Sequence, residues 1–359
     1  MINLEVNIKS HNKTYPIYID NKNIEDLKKR ILTECNGKNF IVIFNQKVHK
    51  LYSKILNFPK DRVFVLKDGE KEKNHKNYLK ILDFALSKKL KREDYIIAIG
   101  GGVVGDITGF AAATYMRGIN FIQVPTTLLA MTDSSVGGKI AINTKYGKNL
   151  VGAFYQPKAV FINTNFLKTL DLNQYKSGLG EVIKYGFIEK SCDSNSEKNL
   201  LNFLNENYEK ILNKESYTME KLISACVELK IKVVENDEKE SGLRKILNYG
   251  HTYAHAVEKL TNYRKYTHGE CVIEGIKFAV NLAVKQNLID KEYQFLCSDI
   301  IQKFDYKPLM TFPVQKYIQV MTTDKKATGD NINFILPTQY AQVQEYKFTV
   351  PELLKIIQE

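Results

Sequence analysis

Between residues 20 and 150 two kinds of apolar pattern alternate, and that alternation restricts the fold more than any other feature of the chain. Residues 24–32 and 75–88 carry apolar side chains at helical spacing, whereas residues 39–44, 63–66 and 95–99 are short and almost continuously apolar. A strand buried on both faces reads as such a run, and helices inserted between strands imply parallel crossovers. The expected architecture is an α/β domain with a parallel, Rossmann-like sheet, in which ligands collect beyond the carboxyl ends of the strands. The first twenty residues alternate apolar and polar, as an edge strand or hairpin does, and lack the apolar centre of a signal peptide.

The glycines fall where such a ligand would sit. Gly100, Gly101, Gly102 and Gly105 follow the run YIIAI and precede a helical stretch expected over residues 106–115. Glycines there let backbone N–H groups and a helix N-terminus approach a phosphate, although a close-packed strand-to-helix turn would also use them. The match to a dinucleotide fingerprint is imperfect, since no carboxylate lies between Asp106 and Asp133. After a strand expected over residues 121–124 come Thr126, Thr127, Asp133, Ser134, Ser135, Gly137, Gly138 and Lys139, a polar set suited to an anion-receiving loop. Gly147, Lys148 and Asn149 repeat the theme.

Beyond about residue 170 the strand signals fade. Residues 181–188, 198–212, 219–234, 251–260, 270–286 and 291–303 read as helices, so a mostly α-helical domain is expected over residues 171–359, after an α/β domain over residues 1–170. The second domain contains the stretch 244–270, which holds three of the six histidines. His251 and His255 are four apart on one helical face, His268 follows in His-Gly-Glu, and Glu258 and Glu270 are the nearby carboxylates. Two imidazoles and a carboxylate make a common catalytic zinc set, while a His-x3-His pair alone is as readily structural. The glycine of His-Gly-Glu suggests a tight turn at the start of the next helix.

At 359 residues the chain can bury a large core, and no apolar run reaches the roughly 18 residues of a membrane span. Five widely spaced cysteines without a C-x-x-C pair point to a reducing, cytoplasmic setting. The net charge of +12 is spread along the chain without the clustered basic stripe of a nucleic-acid surface, which favours an anionic small molecule as the partner.

With these pieces assembled, the chain resembles the 3-dehydroquinate synthase family. The motifs that carry the resemblance are GGGVVGDITGFAAATYMRG, VPTTLLAMTDSSVGGKIAIN, GKNLVGAFYQP, GEVIKYG, RKILNYGHTYAHAVE, HGE and DKK, in that order. It implies a homodimer that converts 3-deoxy-D-arabino-heptulosonate 7-phosphate to 3-dehydroquinate and phosphate in the shikimate pathway. NAD+ would be reduced and reoxidised within one turnover, and a divalent metal, Zn2+ or Co2+, would be bound by Glu181, His251 and His268. The third ligand is then the distant Glu181, and His255 is left for proton transfer. The resemblance places NAD on Glu70, Lys73, Gly101, Gly102, Asp106, Thr126, Thr127, Phe166, Thr169 and Leu170, with Asn45 where the family has a ribose-binding acid. It places substrate on Asp133, Lys139, Lys148, Asn149, Lys184, Lys230, Arg244, Asn248, His255 and Lys325 or Lys326, with Lys139 and Lys148 also bordering the cofactor. Arg117 would reach the phosphate site of the neighbouring subunit.

The chain departs from the family pattern at Asn45, at Asp171, Asn173 and Gln174, and at Gly180, where alanine is usual. These positions concern cofactor and hinge more than chemistry. The alternatives are another sugar phosphate cyclase, or a metal-dependent NAD alcohol dehydrogenase of the same fold, which would accumulate NADH.

Overall fold

The computed structural model describes residues 1–322 and 331–358, so Lys325 and Lys326 lie outside the described residues. The chain divides into two compact units, Met1–Asp171 with Met219–Ile231, and Leu172–Thr218 with Lys232–Glu359. Met219–Ile231, within the expected second domain, thus belongs to the first unit.

The first unit opens with a hairpin of β1 (Ile2–Ile8) and β2 (Lys13–Asp20), followed by α1 (Ile24–Cys35), β3 (Phe40–Asn45), α2 (Gln46–Leu56), β4 (Val63–Leu66) and α3 (His75–Ser87). Then come β5 (Tyr95–Gly100), α4 (Gly102–Thr114), β6 (Asn120–Pro125), a hairpin of β7 (Lys139–Thr144) and β8 (Gly147–Phe154), and β9 (Ala159–Asn163). The main sheet runs β1-β2-β9-β6-β5-β3-β4, parallel throughout except for the β1–β2 pair. Ile41, Ile43, Ile96, Ile97, Ile99, Phe121 and Ile122 are entirely buried, as strands covered on both faces must be. From β3 the chain steps outward to β4, then returns across β3 to β5 and continues to β6. That reversal is a topological switch point, with its crevice at the carboxyl ends of β3 and β5.

Two expectations are corrected here. The helix after the glycine run starts at Gly102, four residues earlier than its apolar pattern suggests, because Gly101 occupies the N-cap and the helix grows directly from the strand end. Lys139, Lys148 and Asn149 lie on the β7–β8 hairpin and not in an open loop.

The second unit contains α5 (Leu172–Cys192) and α6 (Leu200–Leu212), followed by α7 (Ser216–Asn236), whose middle belongs to the first unit. It continues with α8 (His251–Leu260), α9 (His268–Lys285), α10 (Lys291–Lys303), α11 (Val314–Thr322), a hairpin of β10 (Asn331–Gln339) and β11 (Gln342–Thr349), and α12 (Val350–Gln358). The mostly helical character holds, but β10 and β11 are strands where none was expected. Among the described residues no helix is long and apolar enough to cross a membrane.

Candidate active site

Three helices of the second unit bring the metal candidates together. Glu181 is carried by α5, His251 opens α8 and His268 opens α9. Glycines set the helix spacing. A β-carbon on Gly180 would lie 2.5 Å from the carbonyl oxygen of Gly269, and one on Gly269 would overlap the backbone of Ser177, so α5 and α9 touch backbone to backbone beside Glu181 and His268. A β-carbon on Gly275 would likewise overlap Gly250, whose φ of +78° turns the chain into α8 just before His251. Gly269 therefore serves close helix packing and not a tight turn, and Gly180 stands where an alanine would press on α9.

The ligand atoms of Glu181, His251 and His268 all lie within 4.8 Å of one another. Oε1 of Glu181 is 3.5 Å from Nε2 of His251 and 3.1 Å from Nε2 of His268. The far side of each ring is also engaged, with Nδ1 of His251 3.1 Å from the carbonyl oxygen of Tyr249 and Nδ1 of His268 3.3 Å from Oε1 of Glu258. Both Nε2 atoms thus face the carboxylate while both Nδ1 atoms are held from behind, the arrangement expected of histidines that ligate through Nε2. This donor set of one carboxylate and two imidazoles suits zinc or cobalt. Burial alone would lower the pKa of His268, but its hydrogen bonds to Glu181 and Glu258 outweigh that and raise it to about 10. The cluster has the electrostatics of a cation site.

His255 stands beside the cluster, its ring 5.6 Å from that of His251 and 6.5 Å from that of His268, and it is not among the converging ligands. Glu270 closes a capping box with Thr267, so neither it nor Glu258 is in the ligand set. Lys184 is buried one helical turn after Glu181 and pairs with it. Arg244 is buried and donates to the carbonyl of Glu238, on a loop gathered by Asp237, whose carboxylate accepts the backbone N–H groups of Ser241, Gly242 and Arg244. Burial would raise the pKa of Asp237, yet these donors bring it down to about 2. Asn248 donates to Glu240 at 2.8 Å.

In the first unit the glycine turn links β5 to α4, and α4 has no side-chain cap at Gly101. A β-carbon on Gly101 would lie 2.9 Å from Thr127 and one on Gly102 3.1 Å from the Ser134 hydroxyl, while the Thr126 N–H bonds the Gly100 carbonyl at 2.9 Å. Uncapped N–H groups on a glycine turn beside a switch point fit a dinucleotide pyrophosphate. Lys73 is buried and bonds Asp106 and Asn149, the latter at 2.6 Å, so it ties the turn after β4 to α4 and the β7–β8 hairpin. Burial pushes the Asp106 carboxyl above its ordinary value and the Lys73 ammonium pulls it back. Glu70 accepts the Asn143 amide at 2.7 Å. Phe166 and Thr169 pack on Tyr52, the latter through a 2.6 Å hydroxyl contact, and Leu170 ends that turn. Asn45 caps α2 and donates to Asp68 at 2.6 Å.

Also in the first unit, Asp133 accepts Lys230 of α7 at 2.8 Å. Lys139 is exposed and Lys148 half-buried on the hairpin. Arg117 is exposed, with φ +63°, in the short turn between α4 and β6. Sequence reasoning gave no role to Asp237 and dropped Glu258 once Glu181 was in view. The signal for Glu258 was its helical spacing from His251.

Solved structures share this fold of an α/β unit and a mostly helical unit. A solved structure of 2-deoxy-scyllo-inosose synthase complexed with carbaglucose-6-phosphate, NAD+ and Co2+ superposes with a TM-score of 0.84 at 24% identity, covering 99% of each chain. The model of the 3-dehydroquinate synthase N-terminal domain matches residues 63–177 and that of the C-terminal domain residues 178–327. The chain belongs to the 3-dehydroquinate synthase family. It is 42% identical over 357 residues to the 3-dehydroquinate synthase of Alkaliphilus metalliredigens (strain QYMF), covering 98% of this chain and 96% of the relative. It is 41% identical over 345 residues to that of Prochlorococcus marinus (strain MIT 9515), covering 92% and 93%.

Proposed function

We propose that this enzyme converts 3-deoxy-D-arabino-heptulosonate 7-phosphate to 3-dehydroquinate and inorganic phosphate, a step of the shikimate pathway. The observation that carries the reading is the convergence of Glu181, His251 and His268 on one point, in a chain of the 3-dehydroquinate synthase family. When bound, a zinc or cobalt ion on those three ligands supplies Lewis acidity toward adjacent substrate hydroxyls, and NAD+ on the glycine turn supplies an oxidation at carbon 5 that is reversed before product leaves.

The chain's own residues do the rest. His255, beside the ligands but outside their set, relays the proton of the hydroxyl that is oxidised. Arg244, with its planar fork, and Lys230 suit the substrate carboxylate; the Asp237 carboxylate holds the backbone N–H of Arg244, and Asp133 accepts from Lys230. Lys139, Lys148 and either Lys325 or Lys326 neutralise the phosphate, Asn149 hydrogen-bonds it, and Asp133, Lys184 and Asn248 complete the substrate set. Oxidation acidifies the neighbouring C–H, the substrate's own phosphate can take that proton as it leaves, and the protein holds the intermediate in one conformer until the ring closes.

The cofactor set is Glu70, Lys73, Gly101, Gly102, Asp106, Thr126, Thr127, Phe166, Thr169 and Leu170, bordered by Asn45, Lys139 and Lys148; the uncapped start of α4 supports it. Arg117 serves a neighbouring subunit's phosphate site in a homodimer, a role its exposure supports. The five buried cysteines suit the cytoplasm.

Incubated with NAD+ and zinc, the enzyme should form 3-dehydroquinate and phosphate in equal amounts from the heptulosonate phosphate. It should release none from glucose 6-phosphate, which lacks the carboxylate that Arg244 recognises. The opposite preference would move the reading to another sugar phosphate cyclase.

A further inference from the structure

Residues 251, 255 and 258 are four and then three apart on α8, so one face of that helix presents two imidazoles and a carboxylate. Only 7% of Glu258 is exposed, a degree of burial that a carboxylate tolerates when it is paired. Its Oε1 lies 3.3 Å from Nδ1 of His268, and the opposite nitrogen of that ring lies 3.1 Å from Glu181. The other histidine is backed differently, by the neutral carbonyl of Tyr249 at 3.1 Å. A neutral imidazole carries one proton, so a ring whose Nδ1–H is held from behind must offer its lone pair at Nε2.

We propose that Glu258 is a positioning residue for the metal: it accepts a hydrogen bond from Nδ1–H of His268, fixes the tautomer with the Nε2 lone pair turned toward the cation, and strengthens that nitrogen as a donor. The inference rests on the reading of Glu181, His251 and His268 as metal ligands. The carboxylate behind His268 adds charge as well as orientation, and the carbonyl behind His251 adds orientation alone. Glu258 therefore sets how tightly the site holds its ion without touching it.

The test is zinc affinity of the full-length, metal-stripped protein, measured by competition with a chromophoric chelator, with the visible spectrum of the cobalt-loaded form alongside. Glu258→Ala should bind zinc about 10–100-fold more weakly than the parent. Glu258→Gln, which keeps an acceptor for Nδ1–H but removes the charge, should fall between the two. The cobalt spectrum should change in Glu258→Ala as the ring loses its orientation. Should Glu258→Ala fail to fold, the near-isosteric Glu258→Gln decides by the same measurement. Zinc affinity in the folded variants within about twofold of the parent would overturn the role of Glu258 while leaving the ligand set intact. A parent that takes up no zinc would overturn the metal reading itself, and this inference with it.

Discussion

Lys139 and His268 show how differently single residues act in this protein. Lys139 is exposed at the start of β7, and the proposed function sets its charge against the substrate phosphate. Lys139→Ala should lower turnover by about 100-fold, as loss of one preorganised charge contact commonly does. It should change stability by no more than about 0.5 kcal/mol; turnover near that of the parent would remove the lysine from the phosphate set. His268 is the reverse case, a residue whose protonation is part of the fold. Its pKa in the metal-free protein is raised from the ordinary 6.5 to about 10, so its pairing with Glu181 and Glu258 stabilises the protein fully below pH 6.5 and less as pH rises through 10. A metal must displace that proton. Zinc uptake at pH 8 should therefore release a proton from His268, and affinity should rise with pH up to about 10. Calorimetry in buffers of different ionisation enthalpy reads this directly, and buffer-independent heats would contradict it.

At the scale of elements, the metal candidates are held by helix crossings that only glycine permits. Gly269→Ala would push α9 off the backbone of α5, at a cost of about 1–3 kcal/mol, and should weaken zinc binding because Glu181 and His268 separate. An unchanged Tm with full zinc affinity would refute the crossing as the organising contact. The loop before α8 depends on one carboxylate in the same way. Asp237→Asn should raise KM for substrate more than it lowers kcat, since it loosens the backbone that carries Arg244. The parent should lose the stability contributed by Asp237 as pH falls from 3.8 through about 2, because its carboxylate is held below its ordinary value. The strands of the main sheet could be read from the sequence because residues such as Ile96, Ile97 and Ile99 are buried on both faces and leave an unbroken apolar run. The β7–β8 hairpin could not, since β8 is largely exposed and built from glycine, lysine and asparagine as well as apolar residues. Strand β10 was hidden by Pro337, which sits where its register with β11 shifts. His251 was visible through its spacing from His255, but Glu181, the carboxylate that meets His251 and His268, was not, because proximity across helix crossings leaves no local pattern; only family resemblance supplied it.

Across the whole molecule, a parallel sheet with an uncapped glycine turn and a helical unit with a Glu–His–His cluster occur in one chain of net charge +12. Neither feature specifies a reaction by itself, since a dehydrogenase needs the same two. What distinguishes the proposed chemistry is that the oxidation is undone within the turnover, so the cofactor is required but not consumed. The direct measurement is phosphate release from 3-deoxy-D-arabino-heptulosonate 7-phosphate by the purified protein, with and without NAD+ and before and after chelation, while absorbance reports NADH. Release that needs both NAD+ and metal, with no NADH accumulating, is the expected result. Phosphate release indifferent to either, or NADH formed in step with substrate consumed, would contradict it.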